Sequence, residues 1–179
     1  MSRAFILACA TLFIMSHVHA EDGHDLWLRY DRLADAPVLT AVTLITPTGR
    51  PSPTTEAALA ELQRGFTGLV GAAPKLTLTA ATGGLPGAGT EGYALSSDNN
   101  GDIRIAANSD IGALYGAFDL LRRIQTGQLP ANLLVTSAPR IQRRILDHWD
   151  NLNRTVERGY AGFSLWDWFY LPGIRSPRY

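Results

Sequence analysis

Between residues 147 and 167 the chain carries a dense set of side chains able to do chemistry: Asp147, His148, Asp150, Asn151, Glu157, Arg158 and Asp167, with Trp149 among them. General acid–base work needs two carboxylates held in a fixed pairing, and no spacing here establishes one. No residue of this chain is therefore assigned a catalytic role. Arg158 carries a planar guanidinium that can grip a carboxylate through two parallel hydrogen bonds. Between Glu157 and Gly159 it can also tie down its own loop.

Other chemistries are poorly supported. The sole cysteine, Cys9, sits in the apolar stretch at the start of the chain, so thiol catalysis and disulfides are not expected. Beyond that stretch the histidines are His24 and His148, too few and too far apart for most all-histidine metal centres. Asp22, His24 and Asp25 lie close together but have no further ligand nearby. Gly83, Gly84, Gly87 and Gly89 invite comparison with a phosphate loop, yet no lysine follows them in the required arrangement, and a plain loop is expected. Asn153, Arg154 and Thr155 form a glycosylation sequon, relevant only to a eukaryotic secretory route.

The elements that would position these groups are those of a small α/β unit. Leu26 to Tyr30 alternates and predicts a strand, followed by a second from Val38 to Ile45. Pro47, Gly49, Pro51 and Pro53 mark a loop before a helix capped by Thr54 or Thr55, with body Glu56 to Phe66 and an apolar face of Leu59, Leu62, Phe66 and Leu69. Lys75 to Thr79 predicts another strand. Gly92 to Ser96 and Asp102 to Ala106 flank the turn residues Asp98 to Gly101 and predict a hairpin. A helix from Asp110 to Ile124, capped by Asn108 or Ser109 and closed by Gly127, should bury Ile111, Leu114, Tyr115, Phe118, Leu121 and Ile124. In it, Gly112 and Gly116 would permit close packing. Leu133 to Thr136 adds a short strand.

Sixteen basic and sixteen acidic side chains cancel, which gives no net positive field for nucleic acid or an anionic membrane. Met1 to Arg3, the apolar run Ala4 to Met15 and the small-x-Ala pattern of Val18, His19 and Ala20 read as a cleavable secretory signal, with no membrane anchor implied. Periplasmic or extracellular localisation is expected. Of the 14 aromatic residues after that signal, eight fall in the last 35 positions, so the composition changes near Arg140. The expected domains are a signal peptide at 1–20, a noncatalytic α/β domain at 21–140 and the start of something else at 141–179.

The run Arg144, Ile145, Leu146, Asp147, His148, Trp149, Asp150, Asn151, Leu152, followed by Glu157 to Gly162 and Ser164 to Trp168, resembles the start of the catalytic barrel in bacterial α-glucuronidases of glycoside hydrolase family 67. Asp25 to Tyr30 resembles the start of the same family's accessory domain. Glu91, Gly92 and Tyr93, with Ile111 to Gly116, resemble a pattern shared with accessory domains before other glycosidase barrels.

That resemblance implies an α/β (two-layer α+β) accessory domain, with a small sheet covered by helices, followed by the first strand and loop of an incomplete TIM barrel. A (β/α)8 barrel takes about 250 residues, and 35 follow Arg144. The resemblance therefore implies an N-terminal fragment, inactive alone, that lacks the rest of the barrel and the C-terminal region. The complete enzyme would hydrolyse α-1,2-linked (4-O-methyl)glucuronic acid from glucuronoxylan-derived oligosaccharides with inversion, using carboxylates roughly 6.5 to 9.5 Å apart, without metal or organic cofactor. Trp149 would cover a sugar face, His148, Asp150 and Asn151 would bind hydroxyls, and Arg158 would meet the uronate. The alternative places Trp149 in the barrel core, with its polar neighbours supporting the next loop. A homodimer of the full-length form is compatible with the resemblance. A noncatalytic carbohydrate-binding or structural domain, and the N-terminus of a related hexosaminidase-like glycosidase, are the competing readings.

Overall fold

The computed structural model describes residues 25–81, 83–130, 132–145, 169–170 and 173–174. Five strands form one mixed sheet: β1 (Ala41–Thr46), β2 (Lys75–Ala80), β3 (Tyr93–Ser97), β4 (Ile103–Ala107) and β5 (Leu134–Ser137). Helix α1 (Pro53–Leu69) connects β1 to β2, and α2 (Asp110–Gln125) connects β4 to β5. The strand order is β2-β1-β4-β3-β5. β1 runs parallel to β2 and β4, while β3 runs antiparallel to β4 and β5. The sheet has two edges and is not closed into a barrel.

Register explains the core. Leu44 lies opposite Leu78 on one side and Ile105 on the other. Ile105 in turn faces Leu95, and Leu95 faces Val135. Because strand side chains alternate, this places one apolar row across all five strands on a single face. Ala58, Leu62, Phe66 and Leu69 of α1, and Ala113, Ala117, Leu120, Leu121 and Ile124 of α2, belong to the same buried cluster. The opposite face carries Thr77, Thr43, Arg104, Ser96 and Thr136, partly or fully exposed. The result is two layers, helices over one side of an open sheet.

The hairpin, the strand from Lys75 and the last strand form where the sequence places them. The strand expected from Val38 starts later, at Ala41, and Val38 is exposed. Three expectations need correction. Leu26–Arg29 is a turn of 3-10 helix, not a strand, flanked by Asp25 and Tyr30 at φ 54° and 55°. The left-handed Tyr30 turns the chain so that its ring enters the core, and its carbonyl closes against α1 where a Cβ on Gly68 would come within 2.4 Å. Tertiary burial of one tyrosine thus overrides the alternation.

The first helix is capped by Ser52, not by Thr54 or Thr55. Ser52 Oγ accepts from the Thr55 amide at 3.2 Å while Thr55 Oγ1 accepts from the Ser52 amide at 2.8 Å, a reciprocal capping box with Pro53 at the first helical position. The proline that punctuates the sequence is the helix start.

The buried face of α2 is rotated from the expected stripe. Ala113, Gly116, Ala117 and Leu120 face the sheet with Leu121 and Ile124, whereas Ile111, Leu114, Tyr115 and Phe118 flank them half-buried. Close approach selects the small side. A Cβ on Gly116 would meet Ile105 Cγ2 at 2.5 Å, and one on Gly112 would meet the Gly92 carbonyl at 2.7 Å. Ser109 supplies the cap, and Gly127 at φ 66° ends the helix.

Candidate functional site

His148, Trp149, Asp150, Asn151 and Arg158 lie outside the described residues, as do the signal at 1–20, Asp147, Glu157, Asp167 and the expected first barrel strand. What the structure does place is the α/β layer and the segment that leads from β5 to residue 145.

In open α/β sheets ligands bind beyond the C-terminal ends of parallel strands, where helices begin. Here β1 and β4 end side by side, and both helices start there. Ser52 Oγ donates to Asp110 Oδ2 at 2.7 Å, so a carboxylate of the protein itself occupies the junction of the two helix N-termini. The glycine-rich stretch is a connection between β2 and β3, and no helix begins at those glycines. Both observations favour the plain-loop reading over a phosphate cradle.

Asn108, one of the two expected caps, does something else. Its Oδ1 accepts from the Leu85 amide at 2.6 Å, and its Nδ2 donates to the carbonyls of Leu85 and Gly89 at 3.1 and 2.7 Å. It therefore frames the glycine-rich loop. Between Gly87–Glu91 of that loop and Ala138, Pro139 and Gln142 runs an open groove of about 370 Å³. Beside it Arg144 donates to Glu91 Oε2 at 2.5 Å and places its guanidinium 5.2 Å from the centre of the Tyr115 ring. Among the described residues the groove lining offers no aromatic platform on which a sugar could stack.

The remaining charged clusters brace the fold. Tyr30 donates to Glu61 Oε1 at 2.5 Å, Arg64 grips both Glu61 oxygens at 2.6 and 3.2 Å, and the Arg64 guanidinium stands 5.0 Å from the Tyr30 ring. Burial, then the bond to Glu61, pushes the Tyr30 hydroxyl well above the usual phenol range. On α2, Asp119 accepts from Arg122 at 2.6 Å and Arg123 at 3.0 Å. Burial works to raise the Asp119 carboxyl, but hydrogen bonds from Arg122, Arg123 and Tyr93 outweigh it and hold the group below its ordinary value. Burial likewise raises Tyr93. Among the described residues no three His, Cys, Asp or Glu side chains gather as metal ligands, and no helix is long and apolar enough to cross a membrane.

The framing by Asn108 and the Glu91–Arg144 pair were not legible beforehand. Asn108 read as a helix cap, and partners 53 residues apart leave no local signal.

The described part is thus a two-layer α/β domain whose described ionic clusters tie the fold together. Comparison with known proteins adds a distant relation. Residues 123–179 match the model described as glycosyl hydrolase family 67 middle domain. The chain is also similar to fungal α-glucuronidases: 29% identical over 185 residues to the probable α-glucuronidase A of Aspergillus terreus, covering 88% of this chain and 21% of that protein. It is 29% identical over 188 residues to α-glucuronidase A of Aspergillus tubingensis, covering 92% and 22%. With α-glucuronidase A of Emericella nidulans the identity is 31% over 199 residues, covering 93% and 23%. The chain spans about a fifth of the length of these relatives. The relation is a distant one to family 67 α-glucuronidases, and it does not single out the bacterial branch.

Proposed function

We propose that this chain is the N-terminal part of a family 67 α-glucuronidase: a noncatalytic α/β domain to about residue 140, then the beginning of the catalytic barrel. In the complete enzyme the reaction would be hydrolysis, with inversion, of α-1,2-linked glucuronic or 4-O-methylglucuronic acid from xylo-oligosaccharides. Such chemistry needs a protonated acid on the leaving oxygen and a carboxylate that activates water on the other side. The observation that carries the reading is the family 67 match over residues 123–179, which covers the tryptophan- and tyrosine-rich segment.

Within that reading Trp149 covers a sugar face, His148, Asp150 and Asn151 bind hydroxyls, and Arg158 meets the uronate carboxylate. The acid and base come from the remainder of the enzyme, so this chain alone is inactive. Its leader-like first 20 residues support export to the periplasm or beyond.

Sequencing the transcript past the codon for Tyr179 tests the placement. An open frame of several hundred codons that supplies further barrel strands and their carboxylates is expected. A stop codon directly after Tyr179 would overturn the truncated-enzyme reading in favour of a self-standing accessory domain.

A further inference from the structure

Past Ser137 the chain leaves the sheet ladder, and Arg144 reaches back from there to a loop 53 residues earlier. That loop is already held. Asn108 bonds Leu85 twice and Gly89 once through its side chain, and its own amide donates to the Gly92 carbonyl at 3.1 Å. Gly87 and Gly89, at φ 78° and 67°, supply the bends that let the loop wrap around it.

We propose that Asn108, Glu91 and Arg144 act in series as a latch on the chain leaving the sheet. Asn108 fixes the loop, the loop presents Glu91, and Glu91 together with the Tyr115 ring holds Arg144. An exposed ion pair is usually weak because two long side chains must be ordered to form it. Here the backbone carrying Glu91 is ordered beforehand, so less freedom is lost on pairing. The flat guanidinium gains a second partner in the Tyr115 ring, which a lysine would engage less well. The latch sets the direction in which residues 141–145 depart from β5.

Backbone ¹⁵N relaxation on the full chain tests it. Residues 141–145 should show order parameters near the rigid value of about 0.85, falling below about 0.6 in Arg144→Ala and Glu91→Ala. Arg144→Lys should lie between. In both alanine variants residues 85–89 should stay rigid, because Asn108 still frames them. Asn108→Ala should loosen 85–89 and 141–145 together. Order parameters below about 0.6 at 141–145 in the unaltered chain, or no change in Arg144→Ala, would overturn the latch. Loosening of 85–89 by Asn108→Ala with 141–145 still rigid would overturn the series. If Asn108→Ala does not fold, loosening of 85–89 in Glu91→Ala contradicts the order of the series, and its absence supports it.

Discussion

Ser52 Oγ donates to Asp110 Oδ2 across 2.7 Å, joining the first turns of two helices that begin 57 residues apart in the sequence. The same hydroxyl accepts the Thr55 amide, so one side chain caps α1 and links it to α2. Ser52→Ala should cost about 1–2 kcal/mol, at the upper end for an N-cap, because cap and link are lost together. A double-mutant cycle with Asp110→Ala, read by urea unfolding, should give a coupling of about 0.5 kcal/mol or more. Strict additivity would mean that the link contributes nothing.

Two glycines separate space that can yield from space that cannot. A Cβ on Gly65 would press on the Leu121 side-chain methyls, at 2.5 and 2.8 Å, which can rotate away. On Gly112 it would press on the backbone carbonyls of Gly92 and Glu91, at 2.7 and 3.1 Å. Alanine gains roughly 1 kcal/mol of helix propensity at either site. Gly65→Ala should therefore stay within about 1 kcal/mol of the parent, while Gly112→Ala should lose about 1–3 kcal/mol through overpacking. Thermal melts of the two variants check the contrast.

Tyr30 predicts an alkaline limit. Its hydroxyl is raised in the folded chain above the ordinary value of 10.0, so folding favours the protonated form. The contribution is fully present below pH 10 and is lost as pH rises through the folded value. Tyr93 is raised as well. Tyr30→Phe keeps the ring but removes the titrating group and the bond to Glu61. The variant should be less stable at pH 8 by about 1 kcal/mol and should show a shallower decline above pH 10, with the remainder carried by Tyr93. Parallel slopes in urea titrations at pH 8 to 11 would contradict this.

Asp119 has the opposite sign. Its carboxyl is held below 3.8 in the folded state, so its contribution is present above that pH and disappears as pH falls through the folded value. Asp119→Asn should flatten the acid limb of the stability profile below pH 4. Chemical unfolding between pH 2 and 7 reads this directly.

Elements with local chemistry were legible in the sequence. The hairpin declares itself because Asp98 Oδ1 accepts the amides of Asn100 and Asp102 while Gly101 takes φ 82°, all within five residues. The cap at Ser109 and the stop at Gly127 are of the same kind. Illegible features depend on distant partners. The turn at Leu26–Arg29 exists because Tyr30 reaches Glu61, 31 residues on. The face of α2 was misread because size, not hydrophobicity alone, decides which residues meet a close sheet. Arg144 stood out only as the first residue of the run that resembles the barrel start, with nothing nearby to indicate Glu91. For the five residues expected to line a sugar pocket, the signal was resemblance to a family, which carries no coordinates for this chain.

Under the proposed function the catalytic acid and base belong to the remainder of the family 67 enzyme, and residues 1–179 alone release no uronate. Incubating the purified chain with aldouronic oligosaccharides and quantifying free glucuronic and 4-O-methylglucuronic acid over time tests it most directly. Uronate release should stay at the level of the protein-free blank, even with protein and substrate in comparable amounts. Release of many equivalents of uronate per chain, abolished by replacing a single carboxylate of the chain, would contradict the account.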